Sequence, residues 1–167
     1  MKVIAHRGLL DGPNKGLENS PIQIEAALSY GLEVEVDVWW VAERAQSKFA
    51  SRTESHWMLG HDSPMYPVSQ EFLERDGIWV HCKNSAAMDH ASDAMHYFWH
   101  QTDDVTITSR GYFWSYPGKE LRNKSKSVMV LPEINHDMHA IPDASEYYRV
   151  CTDYAYTMGV SYLRVVQ

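Results

Sequence analysis

Nine consecutive residues, Leu32 to Trp40, set the tightest limit on what this chain can fold into. Leu32, Val34, Val36, Val38 and Trp40 alternate with Glu33, Glu35, Asp37 and Trp39, the period-two pattern of a β-strand. The valines favour extended backbone because two heavy atoms on Cβ restrict the side chain. Such a strand has one apolar face and one acidic face. In a parallel sheet both faces are usually covered, and a covered carboxylate needs a partner. The other reading of the same residues is an amphipathic strand with its acids in water.

What precedes this segment favours the parallel sheet. Lys2 to Ala5 reads as a short strand, and Ser20-Pro21-Ile22-Gln23 opens a helix. Ser20 is a candidate cap, Pro21 suits the first helical position and Gln23 completes a capping box. Gly31 fits a left-handed stop. Strand, helix, strand is the signature of a parallel α/β unit. Further strands are expected at Ile78 to Cys82, Met95 to Trp99, Val128 to Leu131 and Arg149 to Cys151. Val105 to Ile107 is expected to pair with Tyr112 to Tyr116 around Ser109-Arg110-Gly111, and Ser69 to Asp76 to form a weak helix. Ala45 to Ser55 reads as a polar surface loop, and His56 to Gly60 as a short extended piece.

Polar groups recur where these short apolar strands end: His6-Arg7, Glu35 and Asp37, His81 and Lys83, His100, Glu133 and Asp153. Binding and catalytic groups of parallel α/β folds gather at the carboxyl ends of strands. The recurrence therefore points to one shared site. The full length of 167 residues reads as one domain, yet a complete (β/α)8 barrel usually takes about 250 residues. The formal charge of -7 argues against nucleic acid and anionic membranes as partners, while leaving a small anionic ligand open. No apolar run reaches the length of a membrane span, no leader pattern is present, and two separated cysteines make no disulfide framework. A cytoplasmic protein is the expectation.

Glu35 and Asp37 stand two apart on one strand face, roughly 6.5 Å between Cα atoms. Two carboxylates so placed repel unless a cation or a proton lies between them, which suits a hard divalent metal. His6-Arg7-Gly8 offers a proton-transfer group beside a guanidinium able to bind phosphate, and Gly8 permits close backbone approach. Its plainer reading is a core histidine and a capping arginine. His81 and Lys83 share a strand face by the same spacing, with a solvated strand end as the plainer reading of Lys83. His96 and His100 would lie roughly 13 Å apart along a strand, too far for one ion. His136-Asp137-Met138-His139 reads as a solvated loop, and the six tryptophans as core.

Taken in order, His6-Arg7-Gly8, Glu18-Asn19-Ser20, Glu35-Val36-Asp37-Val38, Gly60-His61-Asp62 and His81-Cys82-Lys83-Asn84 resemble the motif blocks of the glycerophosphodiester phosphodiesterase family, over roughly residues 3 to 84. Cys151-Thr152-Asp153-Tyr154 is similar to the end of that family's final strand. The resemblance implies an α/β fold with a TIM-barrel-like (β/α) barrel and a metal-dependent phosphodiesterase acting on a small phosphodiester. By this resemblance His6 and His61 are the acid/base pair, and Arg7 and Lys83 hold the phosphate. Glu35 and Asp37 ligate one Mg²⁺ or Ca²⁺, with Glu18 beside them. His81 stands where the family usually offers a carboxylate. Either it ligates, bringing Mn²⁺ or Zn²⁺ into range, or Glu18 or a water completes the shell.

A noncatalytic binder of metal and phosphorylated ligand is the alternative from another class, and a lyase releasing a cyclic phosphate is a third. The short chain makes the expected architecture a compact, reduced barrel with short or missing outer helices.

Overall fold

Val34, Val36 and Val38 are fully buried, and so, at 1% exposure each, are Glu35 and Asp37 between them. The acidic face is covered, as a strand inside a parallel sheet requires. A computed structural model of the chain describes residues 2–44, 53–119, 123–137, 141 and 144–159.

The elements in order are β1 (Lys2–Ala5), α1 (Pro21–Ser29), β2 (Glu33–Arg44), β3 (Thr53–Leu59), β4 (Tyr66–Val68), α2 (Gln70–Leu73), β5 (Ile78–Cys82), α3 (Ser85–His90), β6 (Tyr97–Trp99), β7 (Val105–Ile107), β8 (Phe113–Ser115), β9 (Ser127–Val130) and β10 (Arg149–Thr152). The ten strands found among the described residues belong to one mixed sheet. Parallel neighbours run β6, β5, β2, β1, β10, β9, β8, and β7 joins β8 antiparallel. The far half of β2 leaves β1 and pairs antiparallel with β3, which pairs in turn with β4.

The sheet curls strongly. Phe98 of β6 stacks on Trp114 of β8 with ring centroids 4.5 Å apart. Six steps separate those strands along the sheet, roughly 29 Å in a flat one. The sheet consequently carries two cores, and β1, β5, β6, β9 and β10 contribute to both. Ile4, Trp79, Phe98, Trp114, Val128, Val130 and Cys151 fill the concave side. Val3, Ala5, Val34, Val36, Val38, Val80 and Val150 pack on the convex side against Ile24 and Ala27 of α1, Leu73 of α2 and Ala87 of α3. Between the two ends, the Ser109 N–H donates to the Tyr97 carbonyl at 2.8 Å, and Tyr97 N–H donates to Ser109 Oγ at 3.0 Å. No ladder of paired residues joins β6 to β7 among the described residues, so the sheet is not closed as a barrel.

Several local expectations change. The piece at His56 is the end of a long strand that begins at Thr53, and Tyr66–Val68 is a further strand. The rest of the expected loop, residues 45–52, lies outside the described residues, as do Met138 and His139. Ser20 occupies the cap position of α1 without a side-chain hydrogen bond, whereas Ser69 caps α2 by accepting the Phe72 N–H at 3.2 Å. All six tryptophans lie in strands, with Trp57, Trp79 and Trp114 buried. Both cysteines are free and buried. No helix among the described residues is long and apolar enough to cross a membrane.

Candidate active site

Parallel pairing brings strand ends together, and register decides which side chains meet. Asp37 is the direct partner of His81 across β2 and β5, and Ala5 is the partner of Thr152 across β1 and β10. His6 and Asp153, each one residue further on, meet at 2.7 Å through Nδ1 and Oδ1. With Nδ1 held by Asp153, Nε2 is the His6 nitrogen available for proton transfer. Burial resists charge on this ring, yet the Asp153 hydrogen bond and the nearby Glu35 carboxylate outweigh it and raise the His6 pKa.

Arg7 turns the chain through a left-handed conformation (φ 52°), followed by Gly8 at φ 78°. A Cβ at Gly8 would lie 3.1 Å from Ile24 Cγ1 of α1, so the backbone passes too close for most side chains. The turn aims the Arg7 N–H at Glu35 Oε2, 3.0 Å away. The guanidinium donates from Nη1 to Glu18 Oε2 at 2.8 Å, and its Nε lies 3.2 Å from Asp37 Oδ2. Asn19, fully buried and also left-handed (φ 57°), clasps Asp37 from both sides. Its Nδ2 donates to Oδ2 at 3.0 Å, and its Oδ1 accepts the Asp37 N–H at 2.8 Å.

His81 Nε2 donates to the His100 carbonyl at 2.7 Å. That bond turns Nδ1 toward the acids, 3.1 Å from Asp37 Oδ1 and 3.6 Å from Glu35 Oε1. Burial opposes charge here too, but the two carboxylates push the His81 pKa up to about 9. Lys83 Nζ lies 3.3 Å from the same Asp37 oxygen. Burial disfavours the Asp37 carboxylate, and His81, Lys83 and Arg7 together overcome it, holding its pKa well below the usual range.

His61 follows Gly60, whose N–H donates to the Asp37 carbonyl at 3.0 Å and whose carbonyl accepts Trp39 Nε1 at 2.6 Å. Its Nδ1 pairs with Asp62 Oδ1 at 2.6 Å, which draws the Asp62 pKa down. His6, Arg7, Glu35, His61, His81 and Lys83 all line one cavity of about 310 Å³. Its remaining wall includes Trp114, Tyr116, Val130 and Leu131.

Six of the eight candidate site residues therefore line one cavity, while Asp37 and Glu18 contact them from outside its lining. Glu18 stands on Arg7, and the group whose ligand atoms lie within 4.8 Å of one another is Glu35, Asp37 and His81. Of the other described histidines, His100 also lines this cavity and His96 does not. His96 pairs with Thr108 Oγ1 at 2.9 Å, and burial, with Arg110 adding to it, pushes its pKa down to about 4. His100 Nε2 donates to the Asp103 carbonyl at 2.6 Å, so only its backbone serves the site. Sequence reasoning assigns no role to Asn19 or to the His100 carbonyl, and marks Asp153 as a strand end within the block Cys151-Thr152-Asp153-Tyr154 without giving it a role. Asn19 has a signal in standing beside Glu18, whereas the carbonyl has none.

The trio fits a divalent cation. Metal–oxygen and metal–nitrogen distances of about 2.0–2.6 Å place two ligands of one ion within about 5 Å of each other. Asp37 Oδ1 is buried with no hydrogen bond, although two cationic groups stand near it. His81 donates its outer nitrogen to a carbonyl and keeps the inner one for the acids, the arrangement metal-bound histidines adopt. Compared with family models, with curated proteins and with solved structures, the chain matches none.

Proposed function

We propose that this protein is a metal-dependent phosphodiesterase that hydrolyses a small phosphodiester, glycerophosphodiesters being the first candidates. The observation that carries the reading is the convergence of two histidines, Arg7 and Lys83 around the Glu35–Asp37–His81 trio in one cavity. Glu35, Asp37 and His81 would hold the ion, which supplies Lewis-acid neutralisation of a phosphoryl oxygen. Two carboxylates favour Mg²⁺ or Ca²⁺, and the imidazole extends the range to Mn²⁺ or Zn²⁺.

The chain's own residues account for the rest. Arg7 and Lys83 attract the nonbridging oxygens and stabilise charge as it builds at phosphorus. His6, whose pKa the Asp153 hydrogen bond raises, would donate its Nε2 proton to the departing alkoxide. His61, steadied by Asp62, takes the proton from the attacking hydroxyl. Where the substrate carries a neighbouring hydroxyl, that group attacks first and a cyclic phosphate forms. Seven strands parallel in order and, among the described residues, three short helices on the convex side support the reading of a reduced, open relative of a TIM-like barrel. The order of the motif blocks, similar to that of the glycerophosphodiester phosphodiesterases, supports the same reading.

One observation favours a noncatalytic binder instead: Arg7 and Lys83 both rest on carboxylates of the site. Turnover decides. Wild type, His6→Ala and Glu35→Ala would be assayed on glycerophosphocholine and a chromogenic phosphodiester with Mg²⁺, Ca²⁺ or Mn²⁺. Metal-stimulated turnover lost in both variants is the expected result. Ligand binding without turnover under every metal leaves the binder.

A further inference from the structure

Glu35 and Asp37 each have one oxygen engaged by the protein and one turned toward His81. The Arg7 N–H donates to Glu35 Oε2 at 3.0 Å, and Asn19 Nδ2 donates to Asp37 Oδ2 at 3.0 Å. The other two oxygens, Glu35 Oε1 and Asp37 Oδ1, lie 3.6 Å and 3.1 Å from His81 Nδ1. Both acids are 1% exposed, and Asp37 Oδ1 has no hydrogen bond. An ion here meets one ligand atom from each residue, two oxygens and one nitrogen, all within 4.8 Å of one another.

The nitrogen is held in place from two sides. His81 Nε2 donates to the His100 carbonyl at 2.7 Å, and His100 is itself pinned, its Nε2 donating to the Asp103 carbonyl at 2.6 Å. With Nε2 as the donor, the neutral ring carries its lone pair on Nδ1, the atom that faces the acids. Phe98 lies flat against the same ring, with centroids 4.9 Å apart and planes 8° from parallel. Trp114 backs Phe98 in turn at 4.5 Å. Withdrawing the nitrogen would break both the bond to His100 and the stack on Phe98.

Charge points the same way. Arg7 Nε and Lys83 Nζ lie 3.2 Å and 3.3 Å from the two Asp37 oxygens. Two cations beside two carboxylates weaken the field on which a hard ion depends. Ca²⁺ takes about six to eight oxygens, commonly with a bidentate carboxylate, and Mg²⁺ gives up its water reluctantly. Imidazole suits Zn²⁺ and Fe²⁺, and a mixed oxygen and nitrogen site binds Zn²⁺ more tightly than Mn²⁺.

We infer that this site takes a transition-metal dication, Zn²⁺ or Fe²⁺ before Mn²⁺, in preference to Mg²⁺ and Ca²⁺, and that His81 is the ligand that selects it. The inference rests on the trio as the metal site of the proposed phosphodiesterase and narrows the ions it takes.

The test uses the full chain, stripped of metal, as wild type and His81→Glu. Competition calorimetry measures the affinities of Zn²⁺, Mn²⁺, Mg²⁺ and Ca²⁺ without substrate, and pulsed EPR of the Mn²⁺ form reads a directly bound nitrogen. Wild type should bind Zn²⁺ about 100-fold or more tighter than Ca²⁺ or Mg²⁺, and its Mn²⁺ spectrum should show nitrogen modulation. In His81→Glu the preference should shrink about tenfold or more, because an oxygen replaces the nitrogen, and the modulation should vanish. Ca²⁺ or Mg²⁺ level with Zn²⁺, or a Mn²⁺ spectrum without bound nitrogen, overturns the inference. Both are read on wild type, so they stand even where the variant does not fold. An unchanged preference in a folded His81→Glu overturns it too. Zn²⁺ bound with the predicted preference in a protein that cleaves no phosphodiester upholds the inference and removes the enzymatic reading. Cleavage with Mg²⁺ bound as tightly as Zn²⁺ keeps the enzymatic reading and overturns the inference.

Discussion

Asp37 Oδ1 and His81 Nδ1 lie 3.1 Å apart on adjacent parallel strands, in direct register. A proton on His81 Nδ1 would stand where a cation binds. With the His81 pKa near 9, a metal arriving at neutral pH displaces that proton. Calorimetry in buffers of different ionisation enthalpy should find about one proton released per metal bound, and affinity should weaken about tenfold per pH unit below 9. The stability of the metal-free protein should show the opposite trend. A raised histidine pKa stabilises the fold fully below about 6.5, and that contribution disappears as pH rises through 9.

Asn19 is the second grip on Asp37. Asn19→Ala leaves the Asp37 N–H and Oδ2 without their reciprocal partner in a fully buried place. A loss of about 1–3 kcal/mol in chemical denaturation is expected, together with metal affinity lowered about 10–100-fold.

Gly60 decides where His61 stands. Its φ is 146°, and a Cβ added there would collide with the Ser63 carbonyl oxygen, which leaves no room for alanine. Gly60→Ala should shift the turn, cost about 1–3 kcal/mol or more in stability and lower kcat by about the 10²-fold or more that proton transfer contributes. Thermal melting and turnover measured on one preparation check both effects.

His96 gives the fold a different pH response. It is buried and neutral beside Trp79, with a pKa near 4, while the unfolded chain binds its proton near 6.5. Stability from this group is complete above about 6.5, falls as pH drops toward 4 and changes no further below that. Melting temperatures across that window should fall less steeply in His96→Gln than in wild type.

The sequence displays the period-two pattern of β2 plainly, because three valines and three acids sort to opposite faces. The buried state of Glu35 and Asp37 follows from it once the neighbours are parallel strands. The β3–β4 extension is harder to read, since Tyr66–Val68 contains a proline and too few residues to show a period. Ser20 stands at the cap position of α1 with extended backbone, and its carbonyl accepts the Ile24 N–H at 3.0 Å as any cap residue's does. Its hydroxyl takes no cap bond, an outcome of side-chain rotation that the sequence does not show. Asp153 and His6 are 147 residues apart, and only the register of β1 with β10 brings them together. The backbone carbonyl of His100, which orients His81, carries no side-chain signature at all.

Metal-dependent cleavage at this cavity is tested most directly by ³¹P NMR of one phosphodiester. Glycerophosphocholine is incubated with the protein in chelator and then with Mg²⁺, Ca²⁺ or Mn²⁺ added in stoichiometric steps. The diester signal should be stable in chelator. Once metal approaches one equivalent per chain, it should convert to a phosphomonoester, directly or through a cyclic phosphate. A diester signal that persists while metal demonstrably binds the Glu35–Asp37–His81 trio would contradict the phosphodiesterase proposal.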